Sequence, residues 1–576
     1  MLAAVSVFAS RFDVNAARAV AAPEAKRFDV ADALARLADS SLLLVEVGEP
    51  TRYRALETIR QFGAEQLEDL GESEAVHERH RQWCLAQLAV LAAQATRDDA
   101  WCVRLDDLAA DVRATLARAV DHPCGPMAAE LAERLAEQLV LRGRPHESQR
   151  CYEQAAQLCD GTAERARLLR LAAGAAASRL VGNDTLRLLH EAASQALACG
   201  DRSAAAVDLA WTVIFARWAP GIIAVQPGPN EVDQWLAQAV ALADGAPAPE
   251  AAIAVAVATG LPDDDPGAHA LIAKAITLAR EAGTPLVEGV ALDQLCARHM
   301  ARHQLTRAID ETLRRGTVMH RMALDASTAY HFNDYLLMAS EVQLAAGQLR
   351  SAADYADRLA ELACYRDYPH PALARRIKVD ALAGDLEAAV ARGERFLAAW
   401  ERAGRPISGT LNVTAYALAM VHGLLGDEAS RDRWIGITVA LTPDSRRLAT
   451  CASGWAPTFD GLVALDRDQP DAALERLSAD IDDRSVWGTW LAGGWHTWYA
   501  ALWVEAAVLA GHADAAARVE RGAAATRENA IAAAIVERAA DLLRGRHDAL
   551  DVHAETFARL GCDYQRRRTE ILARRL

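Results

Sequence analysis

The sequence predicts a mainly α protein: a small module of helices and one hairpin over about the first 85 residues, then a long α-solenoid of stacked helix pairs. Three observations predict it. Of 576 residues, 52% are hydrophobic but only 6% aromatic, so Ala, Leu and Val carry the apolar content, which favours helix. After about residue 85, helix-length segments are punctuated by short Gly, Asp or Pro turns with almost no strand signal. One phrase also recurs, a turn residue followed by paired small residues. It reads Gly347 with Ala352-Ala353, Gly384 with Ala388-Ala389, Asp468 with Ala472-Ala473, Gly511 with Ala515-Ala516, and more weakly Gly426 with Ala429-Ser430. The turns are 37, 42, 42 and 43 residues apart, as stacked helix–turn–helix repeats require.

Along the chain, Val5, Phe8 and Phe12 are spaced i, i+3, i+7, which predicts a first helix with one apolar stripe. Asp13 is expected to cap a second helix carrying Val14, Ala17 and Val20, and Asp29 a third carrying Leu34 and Leu37. Leu42 to Val47, then Gly48-Glu49-Pro50, then Thr51 to Leu56 is a hairpin signal. Helical period returns with Ile59, Phe62, Leu67 and Leu70, so residues 1–85 form a winged-helix-like module. Residues 86–218 read as a first helical-repeat segment. Residues 219–267, with three Pro/Gly-containing stretches, read as an irregular junction, and 268–576 as a second array ending in a capping helix. Ala389, Gly393, Phe396, Leu397 and Trp400 form an inward stripe of that array, while Arg366 to Pro371 and Thr442 to Gly461 read as long turns.

Charge and motif content exclude several functions. With 62 basic against 78 acidic residues the net charge is −16, unlike a general nucleic-acid or membrane-surface binder. Only Lys26, Lys274 and Lys378 exist and none follows a glycine, so no Walker-type phosphate loop can be written. The ten cysteines contain no C-x-x-C and read as reduced and mostly core. No apolar run is long enough to cross a bilayer. The expectation is a non-catalytic cytoplasmic protein with no cofactor.

Residues 5–9, 12–13, 33–43 and 52–62, reading VSVFA, FD, ALARLADSSLL and RYRALETIRQF, resemble the winged-helix segment of actinobacterial STAND-type regulatory ATPases. These are relatives of the AfsR, MalT and large LuxR-like transcriptional regulators. Trp101 with Leu105, Val112 to Leu116 and Leu141 to Arg144 fit that family's first superhelical repeats. The resemblance implies a TPR-like or MalT-like solenoid acting as a regulatory sensor in transcriptional signalling, binding a protein or small-molecule effector. It also implies a separate or missing NTPase module as protein partner. No NTPase stands upstream of Met1 and no helix-turn-helix domain follows Leu576, so the expectation is a fragment or split product of a longer architecture.

Three candidate sites follow. Trp487, Trp490, Trp495, Trp498 and Tyr499 could line a ligand or partner groove, although their spacing is also that of a core repeat helix. Cys296, His299 and His303 stand at i, i+3, i+7 and could share a helix face as metal ligands, without a fourth ligand nearby. Arg52 and Arg54 in the hairpin, and Arg566, Arg567 and Arg568 in a tail of net charge +4, could contact nucleic acid. That last set carries the alternative reading, a transcription factor touching DNA directly. Against it, residues 1–80 hold nine basic and 14 acidic residues, which repel phosphate.

Overall fold

The computed structural model describes residues 1–94, 96–121, 125–263, 265–441 and 445–575, with the side chains of 119–125 and 445–453 left aside. Asp264 of the acidic run 263–265, Cys124 and the start of the 442–461 stretch lie outside those residues, as does the Cys451 side chain. Among the described residues the only strands are Leu44–Glu46 and Arg52–Arg54; nearly everything else regular is α-helix. The chain divides into two compact units, Met1–Ala172 and Ala173–Leu576.

In the first unit the hairpin stands where the β-rich run and its Gly-Glu-Pro turn predict it, antiparallel with Val45 opposite Tyr53. On its opposite edge Tyr53 exchanges both backbone hydrogen bonds with Phe12, at 2.8 and 2.9 Å. This extended bridge explains why the first helix, Leu2–Val5, is shorter than predicted: Phe12 is needed as a strand residue. The apolar stripe still goes inward, with Val5, Phe8 and Phe12 all buried and the two Phe rings stacked 4.7 Å apart. Asp13 caps helix Val14–Ala21, accepting from Ala16 N at 2.8 Å. Asp29 caps nothing; helix Arg27–Asp39 begins two residues earlier, after Lys26, and Asp29 lies in its first turn.

The second unit is built of successive packed helix pairs, such as Pro285–Ala301 with Leu305–Met319, Ala329–Ala345 with Leu349–Ala360, and His370–Ala383 with Leu386–Arg402. All five periodic turn residues, Gly347, Gly384, Gly426, Asp468 and Gly511, have φ between +58° and +96°. This left-handed conformation stops one helix and aims the next, and costs glycine least. In the four strong copies one of the paired alanines is buried between helices (Ala352, Ala389, Ala473, Ala515); in the weak copy Ala429 is exposed. Of the predicted inward stripe, Ala389, Gly393, Phe396 and Trp400 are buried and Leu397 is half-buried.

The stretches expected to be irregular are largely helical. Within 219–267 run helices Pro229–Leu242 and Pro247–Ala258, and Pro266 opens a third, each proline standing in the first turn where its missing N–H is unneeded. Ser445–Asp466 is likewise one helix rather than a turn, with Pro457 inside it.

A further departure matters for function: repeats do not touch only their neighbours. The Thr497 hydroxyl and Asn529 amide both donate to Ala345 O, at 3.0 and 2.8 Å, and Trp498 Nε1 donates to Leu344 O at 2.9 Å. Cys562 Sγ lies 3.2 Å from Leu382 O, and Arg567 donates to Gly384 O at 2.6 Å. Repeats some 150 to 180 positions apart thus meet, so the second unit winds back on itself and encloses space.

Candidate functional site

The enclosed space is a cavity of about 320 Å³ whose lining comes from eight stretches of the second unit, between Leu180 and Leu491. Its walls are aromatic and apolar: Trp218, Tyr330, Leu337, Met338, Pro371 and Trp490. Helix Arg202–Trp218 brings the first of these because Trp211, Phe215 and Trp218 recur at helical spacing along it, and helix Ala329–Ala345 answers with Tyr330 and His331. Trp218 stacks on His331 at 5.6 Å and meets Tyr330 edge-on at 5.6 Å, a preferred aromatic geometry.

Into this apolar shell project charged side chains that the helices bury almost completely. Arg315, 1% exposed, donates to Asp293 Oδ1 at 2.6 Å and to Asp334 Oδ2 at 2.7 Å. Trp218 Nε1 donates to the other oxygen of Asp293 at 2.8 Å. Burial, and then the neighbouring Asp293 charge, push the Asp334 carboxyl well above the usual carboxylate range, against the pull of Arg315. Two turns further along helix Ala329–Ala345, Glu341 Oε1 is contacted by Lys378 Nζ, and Arg375 Nε lies 3.3 Å from that same oxygen. Burial brings Lys378 down to about 8 and lowers Arg375 too, Glu341 opposing both shifts. Two cations therefore share one carboxylate. Arg375 Nη1 and Nη2 and Asn333 Oδ1 are buried without any hydrogen-bond partner, and both residues line the cavity.

The residues singled out in the sequence fare differently. Of the five aromatics, only Trp490 lines this cavity. Trp487, Trp495, Trp498 and Tyr499 belong to the core: Trp487 Nε1 donates to Asp480 O at 3.1 Å, Tyr499 Oη to Ala479 O at 2.9 Å, and Trp495 meets Phe459 edge-on. The polar tips of Trp487, Trp498 and Tyr499 are satisfied by backbone carbonyls, while Trp487 also lines a separate cavity of about 710 Å³ with His303, His496 and Arg521.

Cys296, His299 and His303 do not converge. Helix Pro285–Ala301 ends before His303, whose φ of +60° turns it away to stack on His496 at 3.7 Å. His299 Nδ1 faces Gln304 Oε1 at 3.0 Å, and Cys296 is packed among Leu305, Ala308 and Val342. Burial raises the Cys296 thiol well above its usual value, the opposite of a thiolate ligand. Among the described residues no group of three or more His, Cys, Asp or Glu is arranged to hold a metal ion.

The basic candidates are mostly occupied. Arg52 pairs with Asp107 at 2.8 Å, which also takes Arg11 at 3.0 Å, while Arg54 stays exposed at the strand end. Arg566 lies between Asp563 (3.0 Å) and Glu570 (2.6 Å). Arg567 is spent on Gly384 O, and Arg568 is buried, donating to Leu465 O at 2.6 Å with Glu505 3.5 Å away. The tail is a docked helix: Arg567 and Arg568 reach other elements, Arg566 pairs within the helix, and Arg574 and Arg575 stay exposed.

Sequence reasoning missed Asp293, Arg315, Asn333, Asp334, Glu341, Arg375 and Lys378. A signal existed: Arg375 and Lys378 stand beside Leu373, Ala374, Ile377 and Val379 in a helix buried along most of its length, where Arg376 is the charge that reaches exposed partners. Charges inside a buried helix must be paired or used.

Fold and site together define a class: a mainly α helical-repeat protein whose second unit encloses a polar-studded, aromatic-walled cavity. No family model matches the chain. Over 93 residues it is 43% identical to proteins called "Putative HTH-type transcriptional regulator" from Mycobacterium tuberculosis (strain H37Rv) and Mycobacterium bovis; the stretch is 16% of this chain and 10% of each relative. The chain thus spans about a tenth of the length of the curated relatives it matches. Solved structures similar to it include a STAND protein with a tetratricopeptide repeat sensor from Pyrococcus horikoshii, at TM-score 0.37 and 13% identity, covering 80% of this chain and 64% of that one. The APC/C hetero-tetramer Cut9-Hcn1 is another, at TM-score 0.36 and 13% identity over 89% of this chain and 93% of that one.

Proposed function

We propose that this chain is a non-catalytic sensor of transcriptional signalling, whose TPR-like helical repeats receive a small-molecule effector in the enclosed cavity of the second unit. The observation that carries the reading is a set of buried, unpartnered polar atoms on two residues that line that cavity, Arg375 Nη1 and Nη2 and Asn333 Oδ1. Buried polar groups are nearly always satisfied, and exceptions point to use. The cavity volume of about 320 Å³ falls at the small end of the range typical of ligand pockets, roughly 300–1,000 Å³. Regulation of transcription is supported by the partial relatives' name, and resemblance to AfsR-, MalT- and LuxR-like STAND regulators supports a cytoplasmic setting and a protein partner such as an NTPase module. The winged-helix-like module then serves as a relay rather than a DNA reader, consistent with its surplus of acidic residues and with Arg52 held by Asp107.

Ligand-observed NMR with a library of neutral and charged fragments tests the reading. Fragments should bind the full chain and lose binding in Leu491→Trp, which narrows the cavity from a half-buried lining position. Binding indifferent to that substitution would refute it.

A further inference from the structure

Charge pairing around the cavity is balanced in number but uneven in geometry: Asp293 and Asp334 share Arg315, while Arg375 and Lys378 share Glu341. Arg375 and Lys378 face a single carboxylate, Glu341, and the Nη1 and Nη2 groups of Arg375, 1% exposed, donate to nothing in the protein. Burying a guanidinium with two donors unmet is disfavoured, and burial lowers Arg375 against the opposing pull of Glu341 and Asp334. The other cations of the lining are committed. Arg217 donates to Ala256 O at 2.9 Å and Asp233 at 2.8 Å, and Arg298 donates to Ala258 O at 2.7 Å and Leu261 O at 3.2 Å, with Asp263 3.5 Å away. Asp293 and Asp334, the nearest acids on the other side, are both turned to Arg315. Asn333 adds an unpartnered buried acceptor beside the aromatic wall of Trp218, Tyr330 and Trp490.

We infer that the effector is a small monocarboxylic acid with an apolar or aromatic body, its carboxylate held by Nη1 and Nη2 of Arg375 and its body lying along Trp218, Tyr330 and Trp490. The inference rests on the sensor reading above and names the ligand's chemistry. A guanidinium offers two parallel donors that match a planar carboxylate. Two free donors on one guanidinium match the two oxygens of one carboxylate, whereas a phosphate monoester carries about −1.5 to −2 near pH 7 and would call for a second free cation. The apolar body follows from walls that supply dispersion and desolvation but few donors. A ligand hydroxyl or N–H directed at Asn333 Oδ1 would satisfy the remaining buried acceptor.

The test uses the full chain with phenylacetate, indole-3-acetate and octanoate, their primary amides as neutral isosteres, and phenyl phosphate as the second anion, read by calorimetry and thermal shift. At least one carboxylate should bind while its amide and phenyl phosphate do not. Arg375→Met should weaken that carboxylate by between about tenfold and a hundredfold, the usual loss of a charged hydrogen-bonded pair. Because Arg375 is under-paired without ligand, Arg375→Met should keep or raise the unliganded melting temperature, which a purely structural arginine would lower. Asn333→Leu, which leaves every charge in place, is the second variant and should also weaken binding. Carboxylates binding equally to wild type and Arg375→Met, or phenyl phosphate binding in their place, would overturn the inference. Neutral fragments occupying the cavity while no carboxylate binds would overturn it and leave the sensor reading standing; no binding of any probe would remove both.

Discussion

Two glycines at equivalent turns of the repeat should respond very differently to the same methyl group. Gly384 and Gly426 both end a helix in the left-handed region, at φ +96° and +76°. Alanine at either carries the strain of that conformation, about 1–2 kcal/mol. At Gly426 the added Cβ meets nothing within 4 Å, so strain is the whole effect. At Gly384 it would collide with the Tyr564 backbone, lying 2.8 Å from its Cα, in the helix that also sends Arg567 to Gly384 O. Backbone cannot yield as a side-chain tip can, so overpacking adds about 1–3 kcal/mol, for a total of about 2–5 kcal/mol. Urea denaturation should show the larger loss in Gly384→Ala. Limited proteolysis should release the Asp563–Arg575 helix from that variant and not from Gly426→Ala. Equal stabilities and equal protection of the C-terminal helix would refute the claim that the array closes on itself through this turn.

Arg538 and Glu505 are both fully buried and 2.7 Å apart, with Arg538 also donating to Thr569 Oγ1 and Gln565 Oε1. Arg538→Met should cost about 3–5 kcal/mol by leaving buried Glu505 with only Arg568, 3.5 Å away, and adding Glu505→Leu should recover part of it, measured as a double-mutant cycle. Burial holds His303, His331 and His370 neutral, each lowered to about 3. Their unfolded forms bind protons near 6.5, so their stabilisation is complete above that pH and is lost as pH falls from 6.5 towards 3, by up to about 1.4 kcal/mol per pH unit for each. Melting temperatures from pH 7.5 to 5 should therefore fall less steeply in His331→Phe than in wild type. Asp13→Ala removes the cap on Ala16 N and should cost about 1 kcal/mol, read from denaturation of the full chain; no change would show that cap to be idle.

The parts of this fold that were legible in the sequence are those set by local rules. A left-handed turn every 37 to 43 residues leaves Gly347, Gly384, Gly426 and Gly511 visible, because few other residues tolerate that φ, and paired alanines mark where helices approach. The hairpin showed through its β-rich run Leu42 to Val47 and its Gly-Glu-Pro turn. What stayed hidden depends on residues far apart in the chain. Phe12 leaves its helix to pair with Tyr53, and nothing within Val5 to Phe12 announces this. Trp495, Trp498 and Tyr499 have one spacing whether they face a groove or a core; Leu344 O and Ala479 O, from distant turns, decide for core. The cavity is invisible to periodicity because Arg217, Asp293, Asn333, Arg375, Ser408 and Trp490 meet only when the array winds back. Prolines at 229, 247 and 266 read as breaks, since a first-turn proline and a loop proline look alike without their neighbours.

The central claim, that the second unit holds a small effector inside its wound repeats, is tested most directly by crystals of the full chain soaked with the fragment library. The account predicts ligand density between Trp218, Tyr330 and Asn333 with an acidic group against Arg375. Fragments bound only on outer surfaces, with the Arg375 guanidinium turned onto protein acceptors and the cavity filled by side chains, would contradict it.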